Sequence, residues 1–245
     1  MNNYKLTIQY DGTNYSGWQI QENAVTVQEK ITNAISVLTK EEVNLIGSGR
    51  TDAGVHALGQ VANFQTEQNL SDFKFVYSLN SILPEDISIV DFEKVDEDFH
   101  SRFSAKKRSY LYLIAHKKSP FYNNYTLQYP ELTKEQIEKL NQLSITLKGE
   151  LDFTSFSRKN TETENKVCHV YDIHWRRSGM FTVFFIEANR FLHGMVRTIV
   201  GTLLYAERSN LDENYLNEVL SKKDREAAAE SVAAKGLFLY KVRYQ

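Results

Sequence analysis

The chain is poor in the residues that staple or break a fold. A single cysteine, Cys168, in 245 residues leaves no intrachain disulfide and points to a reducing compartment. Only three prolines and eleven glycines occur, so no stretch has the composition of a linker or a disordered tail. No apolar run approaches the roughly 20 residues that a membrane-spanning helix needs. The first residues, Met1-Asn2-Asn3-Tyr4-Lys5, show no basic region followed by an apolar core. No secretory leader is expected, and a cytoplasmic location fits best. Neither sign of charge dominates: 29 Lys and Arg face 31 Asp and Glu, a formal net charge of −2. That balance counts against a protein that holds nucleic acid by bulk positive charge. A local basic groove stays open, because Lys106-Lys107-Arg108, Lys117-Lys118 and Arg176-Arg177 cluster while acid concentrates at 93–98 and 212–218. Each cluster taken alone fits a solvated face as well as a phosphate contact.

What is present is ordinary globular composition, enough for one large domain or two small ones. Leu6, Ile8 and Tyr10 alternate with polar residues, which predicts a half-buried strand ended by Asp11-Gly12. Thr26 and Glu29 have capping-box spacing, and Val27, Ile31, Ala34, Ile35 and Leu38 follow at helical period. A strand over 43–46, a Gly-rich loop and a strand over 61–64 come next. Ser71 starts a helix carrying Phe75, Leu79 and Ile82 that Pro84 ends, and 87–95 reads as a strand. The pattern then restarts. Tyr110, Tyr112 and Ile114 alternate, Thr133 and Gln136 repeat the capping box, and strands follow at 171–175 and 181–186. Leu192, Met195, Val196, Ile199, Val200, Leu203 and Leu204 mark a long helix with one broad apolar face. A last helix over 212–220 and a strand over 237–244 close the chain. Strands and helices mix without regular alternation. The expected class is α+β: two related halves, 1–104 and 105–245, each with mainly antiparallel sheet and helices on one face.

The most unusual segment is Gly47-Ser48-Gly49-Arg50-Thr51-Asp52-Ala53-Gly54-Val55-His56. Small residues surround one carboxylate, an arginine precedes it by two positions, and two predicted strands flank the loop. Gly49 and Gly54 have the spacing of a phosphate-binding loop, but Val55 and His56 stand where Lys and Ser or Thr are required. A dinucleotide fingerprint would need another glycine and a following helix. Two readings stay open from these residues: a catalytic carboxylate, or a structural turn in which Asp52 bonds backbone amides.

The run Gly49 to Ala57 resembles the catalytic motif of the tRNA pseudouridine synthase A family. Other segments agree in order. Tyr10-Asp11-Gly12 through Gly17-Trp18-Gln19 resembles the family's opening strand and turn, and Phe99 to Ala105 with Arg108 to Tyr112 resembles its second motif. Asp152 to Phe156, Phe191 to Leu203, Lys223-Asp224-Arg225 and Lys235 to Leu239 resemble later ones. Two stretches depart from the pattern: Tyr205-Ala206-Glu207-Arg208 lacks the usual glycines, and 226–234 lacks the usual Gly and Pro.

The resemblance implies a pseudouridine synthase fold and the isomerisation of uridine to pseudouridine, without cofactor or metal, at tRNA positions 38–40 in the anticodon stem-loop. It makes Asp52 the essential nucleophile or base and Arg197 its cationic partner. Arg50 would hold the flipped nucleotide, and Tyr110 would stack on the target base. Lys106, Lys107 and Arg108 would contact phosphates beside Tyr110. A homodimer with tRNA touching both subunits is expected. His56, His100 and His193 read as hydrogen-bonded packing residues, and Cys168 with His169 and His174 is too few ligands for structural zinc. Two rivals remain: a catalytically inactive RNA-binding protein of the same fold, and a metal-dependent phosphoesterase using Asp52 and His56.

Overall fold

A computed structural model describes residues 1–159 and 163–245. In chain order the elements are β1 (Asn2–Tyr10), α1 (Val27–Thr39), β2 (Ile46–Gly47), β3 (His56–Thr66), α2 (Asp72–Ile82), β4 (Ile87–Val95), β5 (Lys107–Ala115), β6 (Leu127–Gln128), α3 (Lys134–Ile145), β7 (Gly149–Asp152), β8 (Val167–Ser178), β9 (Phe181–Ala188), α4 (Met195–Arg208), α5 (Glu213–Lys222) and β10 (Leu237–Arg243). They form two compact units, 1–106 with 238–245, and 107–237. The sequence groups the closing strand with the second half. The fold instead pairs it parallel to β3, Phe238 beside His56 and Leu239 beside Ala57, which places it in the first unit. That partner is remote in sequence, so no local pattern announces it.

The first unit follows the expected order of strand, helix, two strands, helix and strand. β1 runs antiparallel between β3 and β4. Its register sets Tyr4 opposite Phe64, Leu6 opposite Ala62 and Phe92, and Ile8 opposite Ile89. Tyr4, Leu6, Ile8 and Phe64 are essentially inaccessible to solvent. Each such side chain contributes about 1.5–3 kcal/mol by leaving water. Phe75 of α2 packs its ring against Phe64 and Phe92, which puts α2 over this face. On the other face, Asn3 donates to the carbonyls of Asp96 and Phe99, and Asn63 donates to Asn3 Oδ1 at 3.0 Å. Ser101 closes the network on Asn63.

Thr26 caps α1 through its hydroxyl, which accepts from the Glu29 amide. Ser71 sits at the cap of α2 without a side-chain hydrogen bond. The strand expected over 43–46 shrinks to Ile46–Gly47. Val43 and Leu45 are buried in irregular chain, and the Leu45 carbonyl accepts from Gln28 of α1 instead of a neighbouring strand.

In the second unit the strand order is β5-β9-β8-β7, all antiparallel, with short β6 parallel to β5. Tyr112, Phe184 and Trp175 line up across three strands and are buried. Trp175 donates from its indole to Ser144 of α3 and from its backbone amide to Asn141 Oδ1, so α3 lies on this face. The Thr133–Gln136 capping box of α3 is complete in both directions. Gln136 also donates to the buried Glu207 of α4 at 2.7 Å. In the same 205–208 stretch as Glu207, Tyr205 packs on Tyr215. α4 starts at Met195, later than the apolar periodicity from Leu192 suggests, because Gly194 adopts φ +74° and the turn ends there. Buried on most sides, α4 is the centre of this unit's core.

Candidate active site

Asp52 lies in the connection from β2 to β3, and the first unit clamps that connection from beneath. Ser48 donates its amide to Val61 O and its hydroxyl to Gln60 Oε1, and Gln60 donates to Gly49 O. Gln60 is fully buried, so leaving these groups unpaired would cost about 1–3 kcal/mol each. Thr51 is the anchor of the loop. Its carbonyl accepts from the Trp18 amide at 3.2 Å, and its hydroxyl shares a hydrogen bond with Tyr10 at 2.9 Å. Gly54, at φ +74°, donates to Tyr15 O, and Val55 donates back to Asp52 O. Thr51 is buried, Asp52 half-buried and Arg50 exposed.

The turn after β1 is built to lie against this loop. A Cβ on Gly12 would stand 2.0 Å from the Val55 carbonyl oxygen, and one on Gly17 would stand 2.5 Å from that of Thr51. Neither position tolerates a side chain without moving backbone. His56 is buried, accepts from the Gly12 amide through Nδ1 at 3.0 Å and stacks on Phe238. It packs and bonds, as the sequence suggests. His100 likewise accepts at Nδ1 from the amides of Arg102 and Phe103. His193 is exposed, and its carbonyl accepts from the Arg158 amide.

In the second unit, Tyr110 stands on β5 opposite Ile186 and is 9% exposed. Phe191 meets its ring edge-on at 5.1 Å. Strand alternation puts Tyr110 on the helix-covered face with Tyr112. The basic triplet is not one patch. Lys106, which ends the first unit's long segment, is exposed and bonds by its amide to Arg243 O of the same unit. Lys107 lies over the Tyr171 ring and 3.7 Å from Glu187, on the face opposite Tyr110. Arg108 shares the Tyr110 face and donates to Asn189 O. Period-two geometry separates residues that adjoin in sequence.

Arg197 falls in the first turn of α4. Its Nε donates to Val232 O at 2.7 Å, and its own carbonyl accepts from the Val232 amide. A cation there meets the positive end of the helix dipole, which is unfavourable by about 0.3–1 kcal/mol. The same turn holds no acidic residue. Two sources of positive potential therefore coincide and suit an anionic partner. Burial pushes the Tyr112 phenol above its usual range, and the Arg197 charge works in the other direction. Cys168 is buried, and its thiol is pushed up to about 11 by burial. Among the described residues no group of three or more His, Cys, Asp or Glu side chains is placed to hold a metal ion.

Sequence reasoning missed the buried clamp of Ser48, Gln60 and Tyr10, and the contact of 229–233 with α4. Glycines signalled both. Gly12 and Gly17 mark where the turn meets the loop. Gly201, isolated inside a helix, marks a close approach of backbone.

A family model described as tRNA pseudouridine synthase matches residues 6–104 and 143–245. The chain belongs to that family. It is 43% identical over 248 residues to tRNA pseudouridine synthase A of Thermoanaerobacter sp. (strain X514), covering all of both chains. It is 44% identical over 247 residues to the protein of that name from Caldicellulosiruptor saccharolyticus, again over all of both. With tRNA pseudouridine synthase A 2 of Clostridium perfringens it shares 40% over 244 residues, end to end. Asp52, Arg50 and Arg197 fall inside the stretches that match the family model, and Tyr110 falls between them.

Proposed function

We propose that this chain isomerises uridine to pseudouridine in tRNA, with Asp52 as the reacting carboxylate. Membership of the family carries the reading, and the clamped loop supports it. A nucleophile or base gains most from being held in one geometry, and backbone bonds on both sides of Asp52 hold it. In the reaction the C1′–N1 bond breaks, the uracil turns, and C1′ bonds to C5. C5 loses its proton and N1 gains one, so the product is an isomer and no redox partner enters. The residue roles follow the motif matches. Arg197 supplies positive charge to the reacting groups. Tyr110 stacks on the target base, and Arg50 fills the gap left by the flipped nucleotide, an extrusion that costs a few kcal/mol.

The finer substrate reading is the anticodon stem-loop, positions 38–40, bound by a homodimer in the cytoplasm without a cofactor. Exposed Lys106 and the face carrying Arg108 are the phosphate contacts most consistent with a chain of net charge −2.

The test uses tRNA carrying tritium at uridine C5 and reads label release together with pseudouridine mapping by mass spectrometry. Wild type should release label from the anticodon arm. Asp52→Asn should lose at least about 10³-fold in rate while still binding tRNA. Undiminished release by Asp52→Asn would refute the role of Asp52. A wild-type protein that binds tRNA but releases no label would be an RNA-binding protein of this fold.

A further inference from the structure

An extended segment of the second unit runs antiparallel along α4 and meets it position by position. The Ala229 amide donates to Thr202 Oγ1 at 3.2 Å. The Glu230 carbonyl oxygen lies where a Cβ on Gly201 would stand 2.0 Å away. Ser231 and Thr198 share a hydroxyl hydrogen bond of 2.8 Å. Val232 and Arg197 are joined twice, amide to carbonyl at 3.2 Å and guanidinium Nε to carbonyl at 2.7 Å. One residue further, Ala233 O accepts from the Tyr112 hydroxyl at 2.8 Å. A Cβ on Gly236 would lie 2.7 Å from the Tyr112 ring. Arg225 ties the start of the segment by donating to Ala228 O and Ser231 Oγ.

The buried side chains of Ile199, Val200 and Leu203 already hold α4 in the core, so these polar bonds are not needed to dock the helix. What they add is orientation. A guanidinium whose Nε is committed to a fixed carbonyl has a fixed plane, and its remaining donors point one way. The same segment reaches Tyr112, two residues from Tyr110 on β5. It therefore ties the arginine helix to the strand that carries the stacking tyrosine. Gly201 is the position that lets the segment come close enough.

We infer that residues 229–233 are a positioning strap for Arg197, with Gly201 and Ser231 as the residues that seat it. The inference rests on the reading of Arg197 as a group that acts in the reaction. The strap acts through Arg197, so loosening it should slow the chemical step and leave tRNA affinity in place.

The experiment is a double-mutant cycle in the full-length protein, read as single-turnover pseudouridine formation and tRNA Kd. Gly201→Ala should lower the single-turnover rate by about tenfold or more, with Kd within about twofold of wild type. Ser231→Ala should act in the same direction, and Ser231→Thr, which keeps the hydroxyl, should restore the rate. In an Arg197→Ala background, Gly201→Ala should cost no further rate, since the strap would have nothing left to position. A multiplicative further loss in that background makes the strap a structural element only and overturns the inference. So does an equal slowing by Leu216→Ala, a buried change on α5, at matched loss of Tm. If Gly201→Ala does not fold, the Ser231 variants decide the same cycle. A normal Arg197→Ala defect beside a fully active, folded Gly201→Ala protein sinks the strap alone. Wild-type rate in Arg197→Ala sinks the reading of Arg197, and the strap falls with it.

Discussion

In the first unit Asp52 rides on a loop, and the loop is locked by backbone pressed against backbone. Gly12 and Gly17 bring the turn after β1 within contact of Val55 and Thr51, and buried polar side chains close the rest. In the second unit Arg197 rides on a helix that the apolar core already holds, and a separate segment fixes its side chain. A loop has no intrinsic rigidity, so its position must be specified atom by atom. A helix supplies its own backbone order, so only the side chain needs an external constraint. The contrast separates stability from positioning: damage to the clamp should unfold, whereas damage to the strap should misalign.

The sharpest way to break that contrast is Gly12→Ala. Its Cβ would collide with a carbonyl that cannot rotate away, so we expect a loss of about 3 kcal/mol in denaturant unfolding and a parallel loss of activity. An unchanged unfolding midpoint would show that the turn and loop are not clamped together. The next effect in size belongs to Gln136→Ala. It removes half of the α3 capping box and strands the buried Glu207, at a cost of about 1–2 kcal/mol. Because Gln136 lies away from the strap, its single-turnover rate should stay at the wild-type level. A rate defect there would show that any destabilisation of the second unit disturbs Arg197. Smallest is Tyr10→Phe, which deletes one buried hydroxyl contact to Thr51 at about 1 kcal/mol. Measured beside Gly12→Ala, its ratio of rate loss to stability loss shows whether Thr51 sets Asp52's position or only the loop's stability.

Two stretches that the sequence reading sets apart from the family it resembles, 205–208 and 226–234, teach a related point. In the fold the first stretch carries Glu207, which completes the lock between α3 and α4. The second supplies the carbonyl that holds Arg197. Much of this protein was legible beforehand. Alternation in β1, β5 and β8, the caps at Thr26 and Thr133, and the prominence of the Asp52 loop all follow from neighbours in sequence. What was not legible was long-range. β10 joins β3 across most of the chain, and the Leu45 carbonyl, expected to pair in a strand, accepts from Gln28 of α1 instead.

By itself the sequence determined the periodicities, the turn and cap positions, the family, and the identity of the acidic and basic residues worth testing. These depend on side-chain spacing and on residue chemistry, both of which are local. Only the tertiary structure decided that Thr51 anchors the Asp52 loop, that Lys107 and Arg108 face opposite ways, and that Val232 holds Arg197. Each of those is settled by which distant backbone atom satisfies a buried donor or acceptor. That choice is made by packing, since a carbonyl offers the same hydrogen bond whatever residue bears it.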